Sequence, residues 1–233
     1  MTLVLGFDIE RSGGLREHHT IGIGASVVDE NGKELDSLLL RGHMPSVTNF
    51  EKRCYDEFWS KHEDKLAELE YRFTDEHERQ FVTREVTFAW RQADMIKKFQ
   101  AFRRKWEANA KDVDLKLELA SDNKSYDVCF LNEMIFDYCQ DGGAELAMPY
   151  TASHPQTYSA FSETHSMARG LLMAIDPAFK GKGGTTARIA ELYALKPRAR
   201  AHTHNPVDDA YGIAYDMQMM YAIRDARVHL REE

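Results

Sequence analysis

Four carboxylates and one histidine in this chain have types and settings that suit metal-assisted chemistry. Asp8 and Glu10 fall in the run Phe7 to Glu10, Asp127 closes the run Asn123 to Asp127, and His204 opens the run that ends at Asp208 and Asp209. Carboxylates brought together repel one another, so one of them keeps its proton unless a cation or hydrogen-bond donors compensate. Hard oxygen ligands suit Mg²⁺ or Mn²⁺ better than zinc. Two such ions roughly 4 Å apart activate a water on one side of a phosphodiester and stabilise the leaving oxygen on the other. An imidazole with a near-neutral pKa takes the proton of the water.

Each segment also has a purely structural explanation. On a strand, residues two apart share a face, so Asp8 and Glu10 project together while Phe7 and Ile9 face the other way. Two acids at an exposed strand end would look the same. Asp127 falls where a strand gives way to a helix, a position that faces a crevice or caps the helix, and Asp122 in the same loop is a rival. Asn205 suits a helix cap and Pro206 a first helical position, which puts Asp208 and Asp209 in the first turn at the positive end of the helix dipole. His202 and His204 read equally well as ordinary loop histidines. What the bland readings leave unexplained is the coincidence of all three segments in one chain.

The elements that must bring these residues together read as follows. Residues 2 to 9 and 20 to 28 are β-branched runs, and Asn31-Gly32 signals a tight hairpin into 33 to 41, so three antiparallel strands open the domain. Residues 43 to 84 are charged and aromatic without strand alternation and read as a helical insertion. Phe99, Phe102 and Trp106 belong to a three- and four-residue rhythm that predicts an amphipathic helix over 85 to 110. A strand over 115 to 120, a helix over 126 to 139, a short strand over 147 to 151, and helices near 163 to 174, 185 to 194 and 206 to 229 complete the expectation. Strands first and mixed helices afterwards imply an α/β fold, a mixed sheet covered by helices.

At 233 residues, with 43% hydrophobic and 29% charged side chains, the chain reads as one domain over 1–233 that includes the insertion at about 43–84. Three well-separated cysteines, Cys54, Cys129 and Cys139, form neither a CysxxCys pair nor a disulfide framework, which suits a reducing intracellular compartment, cytoplasmic or nuclear. The opening residues are too short for a signal core and no stretch is long enough to cross a bilayer, so no membrane partner is expected. A net charge of −8 does not draw a long polyanion over an extended track. Any contact with nucleic acid is short and local. The basic clusters at Lys97 and Lys98, at Arg103 to Lys105, and at Arg188, Lys196, Arg198 and Arg200 read as solvated helix faces before they read as an entrance. Tyr55, Phe58, Trp59, Tyr71 and Phe73 are read as packing residues ahead of base-stacking ones.

Taken together, Phe7 to Glu10, the Asn-x-x-Tyr-Asp run at 123 to 127 and the run from His204 to Ala210 make the chain resemble the DEDDh family of 3′-5′ exonucleases, over nearly its whole length. The resemblance implies a ribonuclease-H-like mixed sheet of five strands, with strands one to three antiparallel, flanked by helices. It implies two divalent cations, Mg²⁺ or Mn²⁺, bridged by Asp8, with Glu10 and Asp209 on one ion and Asp127 supporting the other, and His204 as general base. The partner it implies is the 3′ end of DNA or RNA, single-stranded or frayed and with DNA slightly favoured, bound near Arg11, Ser12, Asn123 and Tyr126. Arg11 departs from the family pattern, in which a small or hydroxyl residue usually follows the Glu, and the turn after it is lengthened. An RNA-trimming relative, or a protein that binds strand ends on this fold without cutting them, are the alternatives. A homodimer stays open.

Overall fold

The computed structural model describes residues 2–14, 18–42, 49–70, 84–123, 126–139, 161–176, 178–179, 185–193, 195–196, 200 and 202–232. Its centre is a mixed sheet of β1 (Thr2–Arg11), β2 (Thr20–Val28), β3 (Glu34–Arg41) and β4 (Lys116–Ser121), with the three-residue β5 (Phe161–Glu163) at the edge, in the order β3-β2-β1-β4-β5. The first three strands are antiparallel, as their hairpin spacing predicts. β4 runs parallel to β1 with Gly6 opposite Ala120, so the carboxyl ends of these two strands open on the same edge.

Alternation along β1 sorts its side chains onto two faces. Leu3, Leu5, Phe7 and Ile9 join one apolar cluster, roofed by α3 (Arg84–Asp112) through Met95, Ile96 and Phe99 and by α4 (Asp127–Cys139) through Val128 and Leu131. Val4 belongs to the cluster on the other face, with Ala214 and Met217 of α7 (Pro206–Glu232), Leu172 of α5 (Thr164–Ile175) and Ile189 of α6 (Thr185–Leu192).

On that second face, glycine decides how near α7 can come. A Cβ at Gly6 would stand 2.2 Å from the Ala210 carbonyl oxygen, and one at Gly24 would stand 1.9 Å from the carbonyl oxygen of Pro206. Both approaches are to backbone, which cannot rotate away. The first turn of α7 therefore lies directly on β1 and β2, and its acids are carried down to the sheet.

The described part of the expected insertion is helical: α1 (Lys52–Glu57), a 3₁₀ turn (Trp59–Lys61) and α2 (Glu63–Leu69). A bridge between Gly42 and Glu70 closes the segment back onto the sheet. Trp59 is fully buried beside Ile21, Phe50 and Leu69, and its Nε1 donates to the Arg11 carbonyl at 3.0 Å, so it packs, as expected, and does not face a ligand. Tyr71 and Phe73 lie outside the described residues.

The strand expected over 147 to 151 lies outside the described residues, and the fifth strand present is β5, immediately before α5, where a helix was expected to begin. Three residues are too few to display a period of two, so the sequence carries no signal for it.

Candidate metal centre

The acids predicted from the sequence converge. β1 ends in a register shift after Glu10, and opposite the two acids β2 supplies glycine each time, Asp8 facing Gly24 and Glu10 facing Gly22. Neither acid has a neighbouring side chain across the strand pair. The room this leaves is taken by the start of α7, which brings Asp209. The parallel neighbour β4 ends at Ser121, Asp122 follows it directly, and Asp127 stands at the first position of α4.

Ligand atoms of Asp8, Glu10 and Asp209 lie within 4.8 Å of one another, and so do those of Asp8, Asp122 and Asp127. The two groups share Asp8. A third group, His202, His204 and Asp209, meets the same limit and shares Asp209 with the first. Asp122, a rival to Asp127 in the sequence, joins it instead.

The electrostatics are those of acids confined without counter-charge. Burial first, then Glu10, Asp127, Asp122 and Asp209, hold the Asp8 carboxyl well above its ordinary value. Burial and the charge of Asp209, followed by Asp127 and Asp122, push Glu10 up to about 8. Asp127 is raised to about 8 by burial and by Asp122, against the Ser121 hydroxyl, which donates to it at 2.5 Å, and against backbone bonds from Asn123 and Ile9. Helix position alone would have favoured the Asp127 anion. Desolvation and like charge win.

Asp209 is 3% exposed; its Oδ1 accepts the Thr203 N–H at 3.0 Å, while its Oδ2 is buried without a hydrogen-bond partner. A buried carboxylate oxygen left this way is costly unless a cation completes it. The donor set of the first two groups is entirely carboxylate, which matches Mg²⁺ or Mn²⁺, and the orphaned oxygen matches a missing positive charge. These residues fit divalent cations.

His204 precedes α7 in a left-handed conformation, φ +58°, a backbone state uncommon for a non-glycine residue. Asn205 caps the helix as predicted, its Oδ1 accepting the Val207 N–H at 3.1 Å. The ring of His204 is edge-on to Phe58 at 4.5 Å and lies 4.9 Å from that of His62 and 4.3 Å from that of His202. Burial, His202 and His62 lower its pKa while Asp209 opposes them, so the imidazole is neutral at neutral pH.

The expected nucleotide contacts divide. Asn123 is exposed and Tyr126 half-buried at the mouth of α4, their backbones joined by a 2.9 Å bond. Arg11 is 5% exposed, with its guanidinium 3.4 Å from the Phe130 ring centroid and one nitrogen donating to the His18 carbonyl. Ser12 is wholly buried and its Oγ accepts the His19 N–H at 2.9 Å. The lengthened turn after Glu10 consumes both side chains, so they brace the connection between β1 and β2 instead of reaching a strand end. Described members of the basic clusters are paired with acids: Lys98 with Asp94, Arg103 with Glu107, Lys105 with Asp36, Arg188 with Asp176 and Glu191, and Arg200 with Glu34.

Sequence reasoning left the insertion without a role, read Phe58 as a packing residue and passed over His62, yet both flank His204. Neither residue lies in a motif, and no local spacing could have linked them to a histidine so far along the chain.

This arrangement is an α/β fold, a mixed sheet flanked by helices, with acidic residues able to bind metal grouped at the carboxyl edge of the sheet. In particular, the chain is similar in fold to the zinc-bound form of the E. coli ExoI–ssDNA complex, at 11% identity and a TM-score of 0.53 over 98% of this chain and 42% of that one. It is also similar to cell-death related nuclease 4, at 12% identity and a TM-score of 0.49, covering 95% of this chain and 64% of the other. A third is the nuclease domain of 3′hExo, a DEDDh family member bound to rAMP, at 12% identity and a TM-score of 0.46, covering 95% and 92%. The chain thus spans less than two thirds of the first two proteins. No protein-family model and no curated protein matches its sequence. Among the described residues, no helix is long and apolar enough to cross a membrane.

Proposed function

We infer that the protein is a metal-dependent 3′-5′ exonuclease that hydrolyses the terminal phosphodiester of a single-stranded or frayed nucleic acid. The observation that carries this reading is the sharing of Asp8 between two carboxylate groups, next to a buried Asp209 oxygen that lacks a partner. Asp8, Glu10 and Asp209 would hold one cation, and Asp8 with Asp127, assisted by Asp122, a second. Bound there, Mg²⁺ or Mn²⁺ supplies Lewis acidity toward the attacking water and the departing 3′ oxygen.

The chain's own groups do the rest. His204 is kept neutral by its burial and by the neighbouring imidazoles, and so is ready to accept the proton of the water. Phe58 and His62 confine its ring from the side of the insertion, and the Asn205 cap fixes the helix that carries Asp209. Asn123 and Tyr126, beside Asp127, are placed to meet the last nucleotide. Arg11 and Ser12 position the acidic end of β1 from behind.

Single-stranded DNA is the substrate favoured first, because the ExoI complex that shares this fold contains it. A 5′-labelled oligonucleotide should shorten from its 3′ end in Mg²⁺ or Mn²⁺, and Asp8→Ala should abolish shortening. Matched DNA and RNA strands decide the sugar. Full activity in excess chelator would refute the metal step, and tight binding of the oligonucleotide with no product would indicate a strand-end binding protein instead.

A further inference from the structure

The site has a second kind of donor at its outer end. His202, His204 and Asp209 each present one ligand atom, all within 4.8 Å of one another, and His202 Nδ1 lies 3.0 Å from Asp209 Oδ1. Asp209 is 3% exposed, and the oxygen it turns to His202 is Oδ1, which also accepts the Thr203 N–H at 3.0 Å, so Oδ2 stays available to the Asp8 and Glu10 group. Two imidazoles and one carboxylate are a borderline set, poorly matched to Mg²⁺ and well matched to zinc, which commonly binds three such protein ligands and leaves a fourth position to water. With bonds of about 2.0–2.2 Å, ligand atoms around a tetrahedral zinc stand about 3.3 Å apart. Half the side chain of His202 is exposed, so its ring can make the small adjustment required and the ion can arrive from solvent.

We propose that His202, His204 and Asp209 form a zinc site whose occupancy inhibits the enzyme. Zinc held there takes His204, which then cannot accept a proton, and draws on the carboxylate shared with the Asp8 and Glu10 group. Binding follows from the geometry alone, whereas inhibition rests on the function proposed above. His202 is the residue peculiar to the zinc site; in the proposed hydrolysis it touches neither water nor the Mg²⁺ ligand groups and only helps to keep the His204 imidazole neutral.

Calorimetric titration of the metal-free protein with zinc chloride, and separately with magnesium chloride, tests this in the wild type and in His202→Gln. Loss of one ligand should weaken zinc binding by at least about tenfold and leave magnesium binding unchanged. In Mg²⁺, micromolar zinc should arrest oligonucleotide shortening by the wild type, with His202→Gln needing at least about tenfold more. Equal zinc affinity in the two proteins, or no zinc binding by the wild type, overturns the proposal. If neither protein cleaves any oligonucleotide, the exonuclease reading fails, and the calorimetric comparison still decides the zinc site.

Discussion

The two faces of β1 show how one strand serves stability and chemistry at once. On the first face, Leu3, Leu5, Phe7 and Ile9 fill the space under α3 and α4, with Phe7 edge-on to Phe99 at 5.7 Å. On the second, the side chains run Val4, Gly6, Asp8, Glu10, so apolar volume gives way first to nothing and then to charge. The first face contributes burial, at about 1.5–3 kcal/mol for each large side chain. The second gives up such packing so that a helix backbone can touch the sheet and set Asp209 beside two acids that repel it. Residues one position apart thus face opposite demands.

Substitutions at adjacent positions should separate the two faces. The largest effect is expected from Asp8→Asn, which should cut cleavage at least about a thousandfold, equivalent to about 4 kcal/mol. The urea midpoint of the same variant without metal should rise, because a repelling buried charge is gone. A fall in that midpoint would mean that the acid stabilises the fold and that the comparison is mistaken. Phe7→Ala should act in the opposite sense, costing about 3–5 kcal/mol in urea unfolding while its folded fraction still cleaves.

Gly24→Ala tests the contact that joins fold to site. Its added methyl meets the backbone of Pro206, so α7 must lift, at about 1–3 kcal/mol in unfolding free energy. Calorimetry should also show weakened divalent binding, since Asp209 moves with the helix. Unchanged binding would detach Asp209 from the centre.

Acidity should distinguish the faces without mutation. Glu10 and Asp127 have ordinary values of 4.5 and 3.8 and are raised to about 8 in the folded chain, so the folded state holds their protons more tightly than the unfolded one. Their contribution is fully present below about pH 4 and is lost as pH climbs through 8. In chelator, the urea midpoint should therefore fall between pH 5 and pH 9, and saturating Mg²⁺ should reverse the fall. A flat profile in chelator would argue against confinement of the acids.

The smallest effect is expected at the insertion. His62 lowers the pKa of His204, so His62→Ala should shift the acidic limb of the pH–rate profile to higher pH, with a loss of less than about tenfold at the optimum. An unshifted limb would leave His62 a packing residue.

The sequence by itself determined the strands β1 to β4, the long helices, the Asn205 cap and the identities of the acids and of His204. Those signals are local: alternation, three- and four-residue rhythm, and capping chemistry act within a few residues of one another. Asp122 could be seen but not decided, because it shares one loop with Asp127. Only the tertiary structure decided that Asp122 joins the group, that Arg11 and Ser12 turn inward, and that His62 and Phe58 meet His204 from the insertion. It also decided why β2 carries Gly22 and Gly24 opposite the two acids, a matter of helix approach that no single segment reveals. Convergence depends on distances between residues far apart in the chain, and those distances exist only once the sheet and α7 have packed together.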